Sequence, residues 1–276
     1  MMAIDWNPLC ELIAKHQRFV LTSHVRPDAD AIGSEVALAE LLEAQGKSVR
    51  IINPSPINDH LRFLDPGERV TCLGGDVTAD KARDTDVHIV LDTSAWAQVV
   101  DVGQVLKQTD AVKVVIDHHL SSDQLGDLEF KDTSAEATGR LVFDFAEAAG
   151  WTLSANAATA LFCAIATDTG WFRFSSTSGR TFQVAGEVID LGAKPDLSYR
   201  ELYERFSVAR VRLAGRLLEH LELGCDGRLA WLVARRDDFA QTGTSPADTE
   251  DVVNECFRIV GVECAFIAHE QRDGQV

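Results

Sequence analysis

The stretch Phe19–Gly46, FVLTSHVRPDADAIGSEVALAELLEAQG, decides the fold class of this 276-residue chain. It opens with a short apolar, β-rich run, Phe19–Thr22, and passes through a polar loop into Ala31–Gln45. There apolar residues recur at helical spacing, and Gly46 is placed to end the helix. Val49–Ile52 then repeats the strand pattern. Strand, helix, strand in this order predicts a right-handed crossover and parallel pairing.

The same alternation extends through the first half of the chain. Val87–Leu91 and Val112–Ile116 are further apolar runs, nearly unbroken, as is typical of strands covered on both faces of a sheet. The middle of the chain predicts helices over Thr138–Ala149, Ala155–Thr167 and Ser178–Leu191. The sequence therefore predicts an α/β fold with a mostly parallel, doubly wound sheet.

The helical pattern breaks at Gly192–Pro195, which we interpret as a hinge. We expect a first domain over residues 1–192, a linker over 193–207 and a partial second domain over 208–276. Beyond the break the patterns predict helices around Asp196–Phe206, Val208–Leu223 and Pro246–Phe257, and strands over Arg228–Ala234 and Cys264–Ala268. Two strands are few for a sheet of about 4–6 strands, so we expect a smaller, truncated α/β domain.

Composition limits the partners. With 43 acidic and 26 basic residues the net charge is −17, and such a field repels long polyanions, including long duplex nucleic acid. The six cysteines form no C-x-x-C pair and are interpreted as reduced thiols. We see neither a secretion signal nor an apolar run of roughly 20 residues, so we expect a cytoplasmic protein without a membrane partner.

Acidic and imidazole side chains follow three of the predicted strands. The first strand is followed by His24, Asp28 and Asp30, the third by Asp92, and the fourth by Asp117, His118 and His119. In open α/β sheets, ligands bind outside the carboxyl ends of the strands, so we expect these side chains to converge.

The mixture of imidazole and carboxylate favours Mn, Fe, Co or Zn over Mg or Ca. We expect Asp28 and Asp30 in the loop before the helix, each facing a different ion. Two divalent ions would balance Asp28, Asp30, Asp92 and Asp168. A lone Asp-x-Asp is more often a helix cap, and a lone His-His pair is usually ordinary surface or core. The combination at three strand ends favours a metal site.

Four segments in order resemble the motifs of the DHH phosphoesterases: Ser23–Ser34 (SHVRPDADAIGS), Asp92–Ser94 (DTS), Asp117–His119 (DHH) and Ala166–Gly170 (ATDTG). The resemblance covers roughly residues 15 to 190. The region after Asp196 resembles the start of the DHHA1 substrate-binding domain. The two-domain layout is most similar to the oligoribonuclease/pAp phosphatase branch, pAp being adenosine 3′,5′-bisphosphate.

The resemblance implies two divalent ions, manganese being usual in the family. One ion would be held by His24, Asp28 and Asp92, and the other by Asp30, Asp92, His118 and Asp168. Asp92 would then bridge the ions, and His119 would act on the substrate phosphate. Asp117 would support the histidines. Arg173 could add a phosphate contact, although a surface arginine is an equally good interpretation.

The implied activity is hydrolysis of short oligoribonucleotides to mononucleotides, with conversion of pAp to AMP as a second reaction. One alternative is a manganese-dependent inorganic pyrophosphatase, but those enzymes commonly carry a Lys soon after the two histidines, where this chain has Leu120–Ser122. The other alternative is a non-enzymatic nucleotide-sensing DHH protein. Degenerate members of this kind tend to lose metal ligands, whereas all six ligand positions are filled here. The sequence leaves the oligomeric state undecided, with a homodimer among the alternatives.

Two departures from the family pattern stand out. The chain lacks the glycine-rich G-G-G-H segment with which DHHA1 domains normally end. Either it is a fragment or its substrate-binding side is unusual, and the incomplete second domain favours a fragment. Arg140 stands where related proteins often carry Glu.

Overall fold

The computed structural model describes residues 4–249 and 251–271. The chain divides into two compact units, one up to Leu202 and one from Tyr203 on. The domain limits expected from the sequence, 1–192 and 208–276 with a linker between them, stay predictions.

The first unit alternates helices and strands along the chain. Its elements are α1 (Asn7–Lys15), β1 (Arg18–Thr22), α2 (Ala29–Ala44), β2 (Ser48–Asn53), β3 (Val70–Cys72), α3 (Ala79–Arg83), β4 (Val87–Leu91), α4 (Trp96–Val99), α5 (Val102–Gln108), β5 (Val112–Asp117), β6 (Leu128–Lys131), α6 (Thr138–Ala149), α7 (Ala155–Asp168), α8 (Gly179–Asp190) and α9 (Pro195–Tyr203).

A six-stranded sheet with the order β3-β2-β1-β4-β5-β6 forms the centre of this unit, and every pairing in it is parallel. The predicted α/β class with a mostly parallel, doubly wound sheet is confirmed. The two outer strands, β3 and β6, were not predicted. They have three and four residues, and none of the three residues of β3 is buried.

Helices cover both faces of the sheet. On one face α2 packs against α6 and α7. On the other, Val99, Val102 and Leu106 of α4 and α5 pack on Val90 and Val115 of the sheet. The strand order reverses between β1 and β4, and a crevice is expected outside the carboxyl ends of the strands at such a point.

Helix α2 is buried along most of its length. Its close crossing with α7 needs Gly33, because a Cβ there would lie 2.4 Å from the carbonyl oxygen of Ala160. Asp28 caps the helix, and its Oδ1 accepts from the backbone N–H groups of Asp30 and Ala31. The expectation that both carboxylates lie in the loop was wrong for Asp30, which belongs to the first turn of α2.

The second unit contains α10 (Val208–Glu219), β7 (Glu222–Gly224), β8 (Leu229–Ala234), α11 (Arg236–Thr242) and β9 (Cys264–His269). Its sheet has the order β7-β8-β9, so the described part has one strand more than predicted. The helix expected over Pro246–Phe257 was wrong. Instead there are short 3₁₀ turns, Pro246–Thr249 and Val252–Arg258, and Asp251 between them has φ +67°, which no α-helix accommodates.

All six cysteines are free. In the described ranges, no helix combines the length and the apolar composition that crossing a membrane would require.

Candidate metal centre

The candidate site lies where the central strands end. His24 follows β1, Asp92 follows β4, and His118 follows β5. These three strands are neighbours in the sheet and run in the same direction. Parallel pairing therefore delivers the three side chains to one edge, as the order of the motifs predicted.

Both candidate histidine ligands are oriented by a backbone carbonyl. His24 Nδ1 lies 3.0 Å from the oxygen of Val25, and His118 Nδ1 lies 3.1 Å from the oxygen of Ala135. A carbonyl only accepts hydrogen bonds, so Nδ1 carries the proton in each ring and Nε2 is left to face the carboxylates.

The two Nε2 atoms lie among four carboxylates. His24 Nε2 is 3.4 Å from Asp92 and 3.9 Å from Asp28. His118 Nε2 is 3.3 Å from Asp168, 3.6 Å from Asp92 and 3.9 Å from Asp30. Asp92 is thus shared by the two imidazoles.

Asp30 is held by the start of another helix. Its Oδ2 accepts from the backbone N–H of Thr138 at 2.7 Å, and its Oδ1 accepts from that of Gly139 at 2.8 Å and from Ser34 Oγ at 3.2 Å. The first N–H groups of α6 have no partner within the helix and favour negative charge. The carboxylate of Asp30 is 1% exposed and is fixed in one orientation.

Asp92 is buried at the end of β4, with its side chain 3% exposed. Its φ is +61°, a left-handed backbone conformation that residues other than glycine rarely adopt and that is often found at functional sites. Its Oδ1 accepts from Thr138 Oγ at 3.0 Å. The turn that follows the strand therefore aims this carboxylate into the crevice.

The donor atoms form three groups, within each of which they lie no more than 4.8 Å apart: His24, Asp28 and Asp92; Asp30, His118 and Asp168; and Asp92, His118 and His119. The structure thus brings together all six residues for which metal ligation was expected. It also places His119, expected on the substrate side, beside two of them. The assignment of ligands to ions stays a prediction.

The electrostatics of this cluster fit divalent cations. Burial, followed by the nearby Asp30, raises the pKa of Asp92 well above its ordinary value. Burial, with Asp30 and Asp28 nearby, raises the pKa of Asp168 to about 8. Carboxylates gathered in this way repel each other, and ions among them would offset that repulsion. Six oxygen and nitrogen donors of this kind suit divalent transition metals.

His119 is oriented differently from the other two histidines. Its side chain is 51% exposed, and Nδ1 donates to Asp117 Oδ1 at 2.8 Å. The hydrogen bond to Asp117 raises the pKa of His119. Although burial acts in the opposite direction, hydrogen bonds from His119, Ser94 and Lys131 hold the pKa of Asp117 well below its ordinary value. The Nε2 of His119 takes no part in this hydrogen bond, and a role of His119 toward the substrate stays a prediction.

Two arginines were singled out from the sequence. Arg173 is exposed in the turn after α7, where its Nε donates to the carbonyl oxygen of Gly170 at 2.6 Å. Its substrate contact stays a prediction. Arg140 lies on α6 and pairs with Asp144 at 2.9 Å and Glu136 at 3.2 Å. It thus links α6 to the residue just before its N-cap.

Sequence reasoning missed the donors that fix the carboxylates. Thr138 and Gly139 begin the predicted helix α6, and the N–H groups of a helix start are anion donors. The sequence contains that signal, but only the fold shows that the carboxylate of Asp30 accepts from the first N–H groups of α6.

The sequence of this chain is similar to those of known proteins over most of its length. The DHH family, N-terminal domain, matches residues 18–165. The bifunctional oligoribonuclease and PAP phosphatase NrnA of Bacillus subtilis is 28% identical over 97% of this chain and 82% of its own length. The NrnA of Thermus thermophilus is 28% identical over 92% of this chain and 73% of its own.

A solved structure has the same fold. The crystal structure of an exopolyphosphatase-related protein from Bacteroides fragilis superposes with a TM-score of 0.93, covering 99% of this chain and 82% of that one at 24% identity. The expected resemblance to the DHH phosphoesterases is confirmed by the family match.

Proposed function

Because the chain belongs to the DHH family of metal-dependent phosphoesterases, we propose that it uses two metal ions to hydrolyse short oligoribonucleotides to mononucleotides and pAp to AMP. The observation that carries the proposal is the convergence of six donor side chains around Asp92. The fold offers this convergence at the edge of the sheet where substrates of α/β enzymes bind.

We assign one ion to His24, Asp28 and Asp92, and the other to Asp30, Asp92, His118 and Asp168. Manganese suits the mixed nitrogen and oxygen donors. When bound, such ions supply Lewis acidity that offsets phosphate charge and acidifies water. The chain prepares for them by fixing both imidazole tautomers and the carboxylate of Asp30 in advance.

His119 handles a proton beside the ions. Because Nδ1 donates to Asp117, the outer nitrogen Nε2 can donate to a phosphate oxygen or to the leaving oxygen. The raised pKa of His119 keeps the ring charged to a higher pH than that of a free histidine, which suits it to an anionic substrate.

Substrate size follows from charge. The net charge of −17 disfavours a long polyanion, whose affinity would come from many phosphate contacts. A nucleoside bisphosphate or a short oligonucleotide needs only the ions and a few side chains, among which we place His119 and Arg173. The names of the two NrnA relatives, oligoribonuclease and PAP phosphatase, fit this range of substrates.

The test offers the chain with Mn²⁺ four substrates side by side: pAp, a ribodinucleotide, a long RNA and pyrophosphate. We expect AMP from pAp and mononucleotides from the dinucleotide, with little cleavage of long RNA. Asp92→Ala should lose turnover and keep its fold by circular dichroism, whereas Asp110→Ala, at an exposed position, should keep both. Exclusive cleavage of pyrophosphate would overturn the substrate assignment, and bound metal without any turnover would favour nucleotide sensing.

A further inference from the structure

Lys131 is a mostly buried cation beside the candidate metal centre. It ends the edge strand β6, and the parallel register of β5 and β6 pairs it with Asp117. Its side chain is 15% exposed. Its Nζ lies 3.0 Å from Asp117 Oδ2, donates to Ser94 Oγ at 2.6 Å and also donates to the carbonyl oxygen of Ser121. All three ammonium protons therefore have acceptors.

The carboxylate of Asp117 connects this lysine to His119. Its Oδ2 faces Lys131 and accepts from Ser94 Oγ at 2.7 Å. Its Oδ1 accepts from the backbone N–H of His119 at 3.1 Å and from the Nδ1 of the same residue at 2.8 Å. Each oxygen has its own set of donors, so the plane of the carboxylate is fixed from one side by Lys131 and orients the imidazole on the other.

Lys131 supplies a mostly buried positive charge beside Asp117. The Asp117 side chain is fully buried, and a buried carboxylate without an opposite charge is strongly unfavourable. Of the two basic groups next to it, Lys131 is buried while His119 is half-exposed. Without Lys131, Oδ2 of Asp117 would keep only the Ser94 hydroxyl as a donor, so the plane of the carboxylate would be less firmly fixed.

We propose that Lys131 is a positioning residue that acts through Asp117 on His119, fixing the ring orientation and the protonated Nδ1 so that Nε2 is presented to the substrate phosphate. This inference rests on the proposed function, in which His119 acts on the phosphate. In this proposal Lys131 acts through Asp117 and not by direct contact with the substrate or the ions. Supporting partners of this kind typically change activity by about 10–100-fold when removed.

A double-mutant cycle tests the route through His119. Lys131→Met should lower kcat for pAp by about 10–100-fold with little change in KM and with unchanged bound manganese. In a His119→Gln background the same change should have no further effect, because residues acting through one another are not additive. The matched control is Lys113→Met, since Lys113 lies near the start of the neighbouring strand β5, away from Asp117 at its end, and contacts Asp127 at 3.6 Å.

A second measurement does not depend on turnover. In the Mg²⁺-loaded protein with ¹⁵N-labelled histidine, the His119 Nδ1 resonance should be that of a protonated, hydrogen-bonded nitrogen. Lys131→Met should shift it, Lys131→Gln should shift it in the same direction with less risk of unfolding, and Lys113→Met should leave it unchanged. Unchanged His119 resonances in both Lys131 variants would overturn the inference, as would an equal loss of kcat with and without His119. If the wild-type protein hydrolysed none of the substrates, that result would instead count against the proposed function.

Discussion

The carboxylate of Asp30 accepts a 2.8 Å hydrogen bond from the backbone N–H of Gly139, although the two residues are 109 positions apart in the chain. The contact joins the first turn of α2 to the first turn of α6. A side chain at position 139 would block it, because a Cβ there would lie 2.6 Å from the Cβ of Ala164 and 3.2 Å from Asp30 Oδ1.

Gly139→Ala should therefore destabilise the fold and weaken binding of the ion assigned to Asp30. Overpacking of this kind costs about 1–3 kcal/mol in the free energy of unfolding. Urea unfolding and manganese titration measure the two effects. Gly186→Ala is the matched control, since position 186 also lies in a helix and has open space around it, and it should gain about 0.5–1 kcal/mol. Equal behaviour of the two variants would show that the close approach is unimportant.

Glu35 should make the stability of the protein fall as pH rises. Burial raises its pKa to about 8, while the unfolded chain has the ordinary value of 4.5. Between these values the unfolded chain has released the proton and the native protein still holds it, so the free energy of unfolding decreases through this window. Glu35→Gln keeps the amide of Asn53 paired and removes the titration.

The measurement is urea unfolding at pH 5 and at pH 8. Relative to the wild type, Glu35→Gln should gain stability between the two, by an amount on the order of a few kcal/mol. Glu11→Gln, at an exposed position, should run parallel to the wild type. If the stability of Glu35→Gln and that of the wild type changed equally between pH 5 and pH 8, Glu35 would be ionised in the native protein.

Much of this architecture could be predicted from the sequence, because buried parallel strands are continuous apolar runs. The strands β1, β2, β4 and β5 each carry a nearly unbroken apolar run, whereas in the four residues of β6 Leu128 and Phe130 alternate with Glu129 and Lys131 and give no such signal. The convergence of the metal-site residues followed from the order of the strands. The position of Lys131 beside Asp117 could not be predicted, since it depends on the register that pairs the two residues.

The helix expected near the end of the chain failed for a local reason. Val252, Val253, Cys256 and Phe257 recur at helical spacing, but spacing does not report backbone conformation. Asp251 adopts φ +67°, and tight 3₁₀ turns follow. Nothing in the pattern of apolar residues distinguishes the two outcomes.

Arg26→Asn should stabilise the protein. Arg26 has φ +55°, a left-handed conformation that Asn tolerates better than Arg, and its backbone N–H donates to Ser55 Oγ at 2.7 Å, a contact that the variant keeps. We expect a gain of up to about 1 kcal/mol in the free energy of unfolding. Arg228→Asn, at φ −84°, should show none. A loss at position 26 would mean that the arginine side chain stabilises the loop.

Removal of divalent ions should lower the unfolding temperature. Burial and the nearby Asp30 raise the pKa values of both Asp92 and Asp168, and ions that bind only the folded chain stabilise it by mass action. We expect EDTA to lower Tm and excess Mn²⁺ to restore it. Calorimetry of Asp92→Ala should show a Tm that responds to neither, and a wild-type Tm indifferent to EDTA would contradict the assignment.

The most direct test of the two-ion site is the number of manganese ions bound per chain, measured by equilibrium dialysis for the wild type and for Asp92→Ala. The carboxylate of Asp92 lies close to both candidate imidazole ligands, 3.4 Å from Nε2 of His24 and 3.6 Å from Nε2 of His118. We predict two ions in the wild type and loss of both from Asp92→Ala. Two ions retained by the variant would contradict the shared site.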